Sequence, residues 1–233
     1  MERGARTGTD EEQLRAAICA AGARLGARGL ISAGEGNLSV RLGDRRLLTT
    51  PTGRRKDELV PDDLATVPLD PAAGPAPSGP PPSSDIAIHR AIYGARPDVI
   101  AVVHAHLPAS MALTLAGEVP DPSALPETAY HLGVLPVVPF GAMGSEELAA
   151  RVAASFAGAE PRPVAVILEQ HGAIAVGTSR GVAGDHLAES RDVPMPTLEN
   201  ALIAAVDRLE LVEILCRTTR DAILLRAARD RSI

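Results

Sequence analysis

Two apolar runs that each end in histidine constrain this chain more than anything else in it. Residues 99–106 read Val-Ile-Ala-Val-Val-His-Ala-His, and residues 163–171 read Pro-Val-Ala-Val-Ile-Leu-Glu-Gln-His, with Gly172 next. Both are short and rich in β-branched residues, which predicts buried strands. Strand side chains alternate faces, so His104 and His106 point the same way while Ala105 points away. His171 ends the other strand in the corresponding position. Three imidazoles with no thiolate form the ligand set of a catalytic zinc centre, one that keeps a position open for water or substrate.

The rest of the chain reads as alternating helices and strands around these two. Thr9-x-x-Glu12 has the form of a capping box, and Leu14, Ala17, Ile18, Ala21 and Leu25 follow at helical spacing up to Gly29. Residues 1–8 are polar and small and are expected to fray. Gly34-Glu-Gly36-Asn37-Leu-Ser-Val-Arg-Leu42 enters a strand, Gly43-Asp44 turns it, and Arg45 to Thr50 returns it into Thr50-Pro-Thr-Gly53. Residues 70–82 hold six prolines and two glycines and form a surface loop. Ser83 or Asp85 then caps a helix reaching Tyr93. Further on, the pattern predicts a short helix from Pro108 to Leu115, irregular chain over 117–133, a strand from Val134 to Val138, a helix from Ser145 to Phe156 and a strand from Ala173 to Val176. Residues 179–196, with Asp185, His186 and Glu189, read as an insertion before a long closing helix from Leu198 to Arg229. Helices and strands alternating with a hairpin included predict one α/β domain with a mixed sheet over the 233 residues.

Composition removes several function classes. Aromatic residues are only 2% of the chain, with no Trp, and the net charge is −6, so there is little to stack on bases or to neutralise a phosphate backbone. No nucleic-acid partner is expected. An anion site must be local, built from backbone amides and hydroxyls. Cys19 and Cys216 lie far apart without CxxC spacing and read as core residues in a reducing compartment. No apolar run reaches membrane-spanning length and Met1-Glu-Arg-Gly-Ala-Arg lacks a hydrophobic leader. The expectation is a cytoplasmic protein with no membrane partner.

Three short stretches suit such an anion site: Gly36-Asn37, Thr52-Gly53 and Ser83-Ser84. If the fold gathers them, they form a neutral cradle for a phosphate, with a helix start near Ser83 adding its positive end. Asp85 follows directly and offers a carboxylate that could ligate zinc or move a proton. His89, one turn on, reads as a packing residue or a support behind the ligands. Zinc that polarises a ketose carbonyl and stabilises the enediolate beside it, an anchored phosphate and one carboxylate make a coherent set.

In this order, Gly36-Asn-Leu-Ser-Val-Arg41, Thr50-Pro-Thr-Gly53, Pro82-Ser-Ser-Asp85, His104-Ala-His106 and Gln170-His-Gly172 resemble the class II aldolase/adducin family, and in particular its L-fuculose-1-phosphate aldolases. The resemblance implies a three-layer α/β/α fold with a central mixed, mostly antiparallel sheet. It implies phosphate binding by Gly36, Asn37, Thr52, Gly53, Ser83 and Ser84, and one zinc per subunit on His104, His106 and His171 with Asp85 as further ligand and acid/base. Tyr130 is the tyrosine in the neighbourhood where the aldolases place a catalytic one, and a homotetramer with sites between subunits is implied. The activity implied is cleavage of a phosphorylated ketose, of the fuculose-1-phosphate type, to dihydroxyacetone phosphate and an aldehyde. A sugar-phosphate 4-epimerase, dehydratase or decarboxylase of the same family is the alternative, followed by a non-catalytic adducin-like association module. Three departures mark the chain. Asp85 stands where the aldolases carry glutamate and the epimerases aspartate, no histidine follows His186, and no tyrosine follows Leu198.

Overall fold

Both histidine-bearing runs become central strands of one seven-stranded sheet. The computed structural model of the chain describes residues 3–43, 45–73, 79–158, 160–179 and 197–231. The strands are β1 (Asn37–Leu42), β2 (Arg46–Thr49), β3 (Ala65–Pro68), β4 (Val99–Ala105), β5 (Val137–Val138), β6 (Ala165–Leu168) and β7 (Gly172–Thr178). The helices are α1 (Arg3–Ala27), α2 (Ile86–Ala95), α3 (Pro108–Leu115), α4 (Pro126–Leu132), α5 (Glu146–Phe156) and α6 (Leu198–Asp230). The spatial order is β3-β2-β1-β4-β7-β6-β5, and every pairing is antiparallel except that of β5 with β6. This is the mixed, mostly antiparallel α/β fold expected.

Period-two alternation sorts the sheet into two cores. Ala101, Val103 and Ala105 of β4 and Ala173 and Ala175 of β7 pack with buried residues of α1, α3 and α6. Val102, Ile174 and Val176 pack on the opposite side with buried residues of α2 and α5. Burying each such valine or isoleucine is worth roughly 1.5–3 kcal/mol and each alanine less, so the strands that carry the histidines are firmly held. The alanine-rich face lets α6 approach closely. A Cβ added at Gly177 would lie 1.8 Å from the Ala201 carbonyl oxygen, so β7 needs glycine there.

Several boundaries differ from expectation, each for a physical reason. With no proline between Arg3 and Thr9 the helix starts early, so Thr9 lies inside α1 rather than at its cap. Residues 117–133 are not irregular throughout. Asp121 caps a 3-10 turn by accepting from the Ser123 amide at 2.8 Å, and α4 follows. Pro122 and Pro126 read as breakers in the sequence, yet each stands at a first helical position, where its missing N–H costs nothing. The strand expected from Val134 shrinks to β5 because Pro136 offers no donor. β3 was not anticipated: four residues ending in Pro68 show no clear alternation, and the sheet edge tolerates them. Residues 74–78 of the proline-rich loop and residues 180–196, with Asp185, His186 and Glu189, lie outside the described residues. Among the described residues no helix is long and apolar enough to cross a membrane.

Candidate metal centre and anion cradle

The β6–β7 turn is what brings the third histidine to the other two. Leu168 pairs with Gly172, leaving Glu169, Gln170 and His171 to reverse the chain. Gln170 takes a left-handed φ of +59°, a conformation that costs a residue with a side chain about 1–3 kcal/mol. Its amide donates to Thr114 Oγ1 at 3.0 Å, which ties the turn to α3. Gly172 has φ +125°, and a Cβ there would lie 2.2 Å from the Ala105 carbonyl oxygen, so the backbone of the turn packs directly on the end of β4. His171 therefore faces His104 and His106. The three ring centroids form a near-equilateral triangle of 4.9, 4.8 and 4.8 Å.

The hydrogen bonding of these rings fits a cation. His104 Nδ1 donates to the Ala173 carbonyl at 3.0 Å, which fixes the tautomer and leaves Nε2 as a lone pair. The Nε2 atoms of His104 and His171 are both buried and have no hydrogen-bond partner among the described residues. Burial holds the pKa of His104 well below its ordinary 6.5, helped by the neighbouring His106 and His171. Burial likewise lowers that of His171, with His106 adding to the effect. Two imidazoles with buried, unpartnered Nε2 atoms, and a third ring whose ligand atom lies within 4.8 Å of theirs, are what a divalent ion requires.

The cradle also assembles. Pro51 bridges Pro82, the Thr52 amide donates to the Pro81 carbonyl at 3.1 Å, and the Ser83 amide donates to that of Thr50 at 3.1 Å. These bonds lay the Thr52-Gly53 turn beside Ser83-Ser84. Gly36, Asn37, Thr52, Gly53, Ser83, Ser84, Asp85 and His106 line a single pocket. Asp85 stands at the start of α2 but does not cap it, contrary to the helix-cap reading. Its Oδ2 instead accepts from Asn37 Nδ2 at 2.9 Å, while Oδ1 is buried with no hydrogen-bond partner among the described residues. Asp85 stays outside the tight three-histidine group. Tyr130 is not brought to this pocket within the chain: it is 57% exposed on α4, edge-on to His131.

Two residues that sequence reasoning passed over line the same pocket. Lys56 is only 2% exposed, its Nζ donates to the carbonyls of Gly34 at 2.6 Å and Arg54 at 2.8 Å, and burial lowers its pKa. Lys56 thus adds a buried cation to a pocket that the sequence led us to expect lined by amides and hydroxyls. In the sequence Lys56 hides in Arg54-Arg-Lys56, where it looks like one more exposed charge. Its only distinguishing mark is its place three residues after the Thr-Gly turn. Glu35 also lines the pocket and sets Oε1 3.5 Å from His106 Nδ1. Flanked by glycines in a turn, it gave no sign of being more than a solvated side chain.

Behind Asp85 lies His89, fully buried, whose pKa burial pushes down to about 3 from 6.5. The unfolded chain takes up a proton below about 6.5 that the folded chain refuses until about 3. The resulting stability is fully present above that window and is lost as pH falls through it, at up to about 1.4 kcal/mol per pH unit. Urea denaturation of chelator-treated protein at pH 7, 6 and 5 should show this loss, with His104 and His171 adding to it in the same sense. His89→Gln should flatten the slope by about 1 kcal/mol per unit; an unchanged slope would refute the assignment.

Comparison with known proteins agrees with this geometry. The family model described as Class II Aldolase and Adducin N-terminal domain matches residues 16–191. The chain is 40% identical over 147 residues to a 3-oxo-tetronate 4-phosphate decarboxylase of Cupriavidus necator, covering 61% of this chain and 66% of that one. It is 34% identical over 185 residues to the protein of the same name from Pectobacterium atrosepticum, covering 78% and 82%. A methylthioribulose-1-phosphate dehydratase of Methylococcus capsulatus is 40% identical over 106 residues, 46% of this chain and half of that one. The crystal structure of L-fuculose-1-phosphate aldolase from Thermus thermophilus superposes with a TM-score of 0.72 at 32% identity, covering 92% and 96%. A match over three quarters of the sequence, on the strands and turns that hold the histidines and the cradle, makes this chain a member of the class II aldolase and adducin family.

Proposed function

We propose that this protein is a metal-dependent lyase that decarboxylates a phosphorylated 3-keto sugar acid of the 3-oxo-tetronate 4-phosphate type. The observation that carries the metal-dependent part is the set of bare, buried Nε2 atoms facing one another beside a pocket that holds both Lys56 and Asp85. The choice of decarboxylation over aldol cleavage draws support from the 3-oxo-tetronate 4-phosphate decarboxylases among the relatives. The fuculose-type aldolase reading drawn from the sequence gives way to its own alternative.

His104, His106 and His171 would hold the ion, and three imidazoles suit zinc. When bound, such an ion polarises a ketone oxygen. Lys56, the backbone at Gly36, Thr52 and Gly53, and the Ser83 and Ser84 turn grip the phosphate, so the ketone one carbon away is presented in a fixed orientation. The bond between the carboxylate carbon and its neighbour breaks, carbon dioxide leaves, and the electron pair passes to the ketone oxygen. Asp85 then delivers a proton from solvent to that neighbour through Oδ1, and dihydroxyacetone phosphate results. No oxidant or reductant is needed. Tyr130, exposed on α4, is available to a neighbouring copy, as a homotetramer would use it.

A second reading, dehydration of a ketose 1-phosphate, has one observation in its favour. Glu35 adds a second carboxylate next to His106, and loss of water needs one group to take a proton from carbon and another to give one to the departing hydroxyl. The 3-oxo-tetronate 4-phosphate, methylthioribulose 1-phosphate and fuculose 1-phosphate all place the phosphate one carbon from the ketone. The three can therefore be offered in parallel to zinc-loaded protein. Release of carbon dioxide with triose phosphate from the first substrate is the expected outcome. Faster loss of water from the second, or faster aldehyde release from the third, would overturn it. Lys56→Met should raise KM for the accepted substrate about 10- to 100-fold with kcat little changed, the worth of a hydrogen bond to a charged group. Steady-state kinetics that found KM unmoved would remove Lys56 from the phosphate site.

A further inference from the structure

Strand β1 alternates Leu38 and Val40 with Asn37, Ser39 and Arg41. The apolar pair enters the core with α1 and α6. The polar set faces α2, where His89 and Tyr93 stand one helical turn apart. A row of polar side chains beneath a buried helix is costly unless its members find partners, and here Asn37, Ser39, His89 and Tyr93 all do, while Arg41 donates to the Tyr93 carbonyl at 2.8 Å and keeps a buried Nε without a partner among the described residues. Asn37 Nδ2 donates to Asp85 Oδ2 at 2.9 Å. Asn37 Oδ1 meets His89 Nε2 at 2.5 Å, and His89 Nδ1 meets Ser39 Oγ at 2.6 Å. Tyr93 Oη lies 3.0 Å from Ser39 Oγ and also reaches the carbonyls of Ser39 at 3.0 Å and Ile100 at 3.2 Å. Asn37, Ser39, His89 and Tyr93 are each no more than 2% exposed.

The donors in this chain can run in only one direction. A carboxylate accepts, so Asn37 must turn its NH2 toward Asp85 and its oxygen toward His89. That oxygen requires a proton on His89 Nε2. A neutral imidazole carries one N–H, so Nδ1 is a lone pair and accepts from the Ser39 hydroxyl. Tyr93, whose pKa burial raises further, remains a donor to Ser39 or to the two carbonyls. Asn37 thus has its oxygen and one hydrogen committed inside the fold, and Asp85 has Oδ2 pinned while Oδ1 stays free.

We propose that Asn37 is chiefly a positioning residue for Asp85 rather than a phosphate ligand, and that His89, locked by Ser39 as its Nε2–H tautomer, is the post that holds the Asn37 amide in that orientation. The proposal rests on the acid role given to Asp85 above. It differs from what the resemblance implies for Asn37, and it gives His89 a task beyond packing.

A double-mutant cycle on the zinc-loaded full chain tests it. His89→Leu should lower kcat about tenfold, the usual cost of losing a partner one shell behind a working group, with KM within about twofold. On an Asp85→Asn background the same change should cost less than about twofold, because the residue it acts through is already disabled. His89→Gln, which keeps a donor toward Asn37, should recover most of the loss. Titration with inorganic phosphate should find the affinity of Asn37→Ala within about twofold of wild type. Nitrogen NMR of histidine-labelled protein should report His89 protonated at Nε2. Equal loss on both backgrounds, a loss confined to KM, a phosphate affinity weakened tenfold in Asn37→Ala or the opposite tautomer would each overturn the proposal. Should His89→Leu fail to fold, Ser39→Ala replaces it with the same expectations. Asp85→Asn without effect on kcat would instead overturn the role given to Asp85 itself, so the two failures are distinct.

Discussion

Replacing His104 with alanine should abolish metal binding and cut turnover by about a thousandfold or more, while the protein stays folded. The imidazole supplies one of three lone pairs, and polarisation of a carbonyl by a bound cation is worth several kcal/mol, each 1.36 of which is a factor of ten. His104 is also the proposed ligand whose orientation is set by a backbone partner, Ala173. His106 and His171 alone leave two donors, too few for a firm catalytic zinc site. Elemental analysis of protein prepared without chelator should give one divalent ion per chain for the wild type and none for the variant. A variant that kept full metal occupancy would place the centre elsewhere. Far-ultraviolet circular dichroism should change little, because Ala105, Val103 and the rest of β4 hold the strand without the ring.

The second large effect belongs to Asp85. Asp85→Asn should lower kcat by about 10² to 10⁴, the usual worth of a positioned acid or base, with zinc still bound on the three histidines. The asparagine would keep a similar shape and still meet the Asn37 amide through its oxygen, so the loss would report the missing proton and not a collapsed pocket. Asp85→Glu lengthens the side chain beside a buried, unpartnered Oδ1 and should restore part of the activity at saturating zinc. Assays at several zinc concentrations separate this outcome from a pure ligand role. An effect that vanished when zinc was raised would assign Asp85 to the metal shell alone. Near wild-type turnover of the Asn variant would exclude it as the acid.

What the sequence carries well is periodicity and order. The alternation in 99–106 fixed the common face of His104 and His106, and the small and hydroxyl-bearing turns marked the cradle before any fold was known. What it carries poorly is the environment a residue enters. Lys56 sits among arginines in the chain and only burial beside the Thr52-Gly53 turn distinguishes it. Asp85 reads as a helix cap because caps are local, whereas its true partner, Asn37, lies 48 residues away. Asn37 and Ser39 look like ordinary polar strand residues, since alternation says which residues share a face and not whether that face meets water or a helix. Pro122 and Pro126 illustrate the same limit for elements, because a proline that stops one helix starts another.

The pairing of Asn37 with His104 across β1 and β4 has a consequence for what the pocket can measure. Neighbouring antiparallel strands hold facing Cα atoms about 4.5–5.5 Å apart, whatever loops connect them. Gly36 presses the point home: a Cβ on it would come within 2.9 Å of the His104 carbonyl oxygen, so the backbone of the Gly36 turn lies against the strand that bears His104. In the proposed function, the distance from an anchored phosphate to the cation would therefore be a ruler cut into the hydrogen-bond lattice of the sheet. Exchanging loops would alter which groups fit beyond the ketone. It would leave unchanged the one-carbon spacing between phosphate and carbonyl that the proposed substrate has, and only a slip in strand register would re-mark the scale.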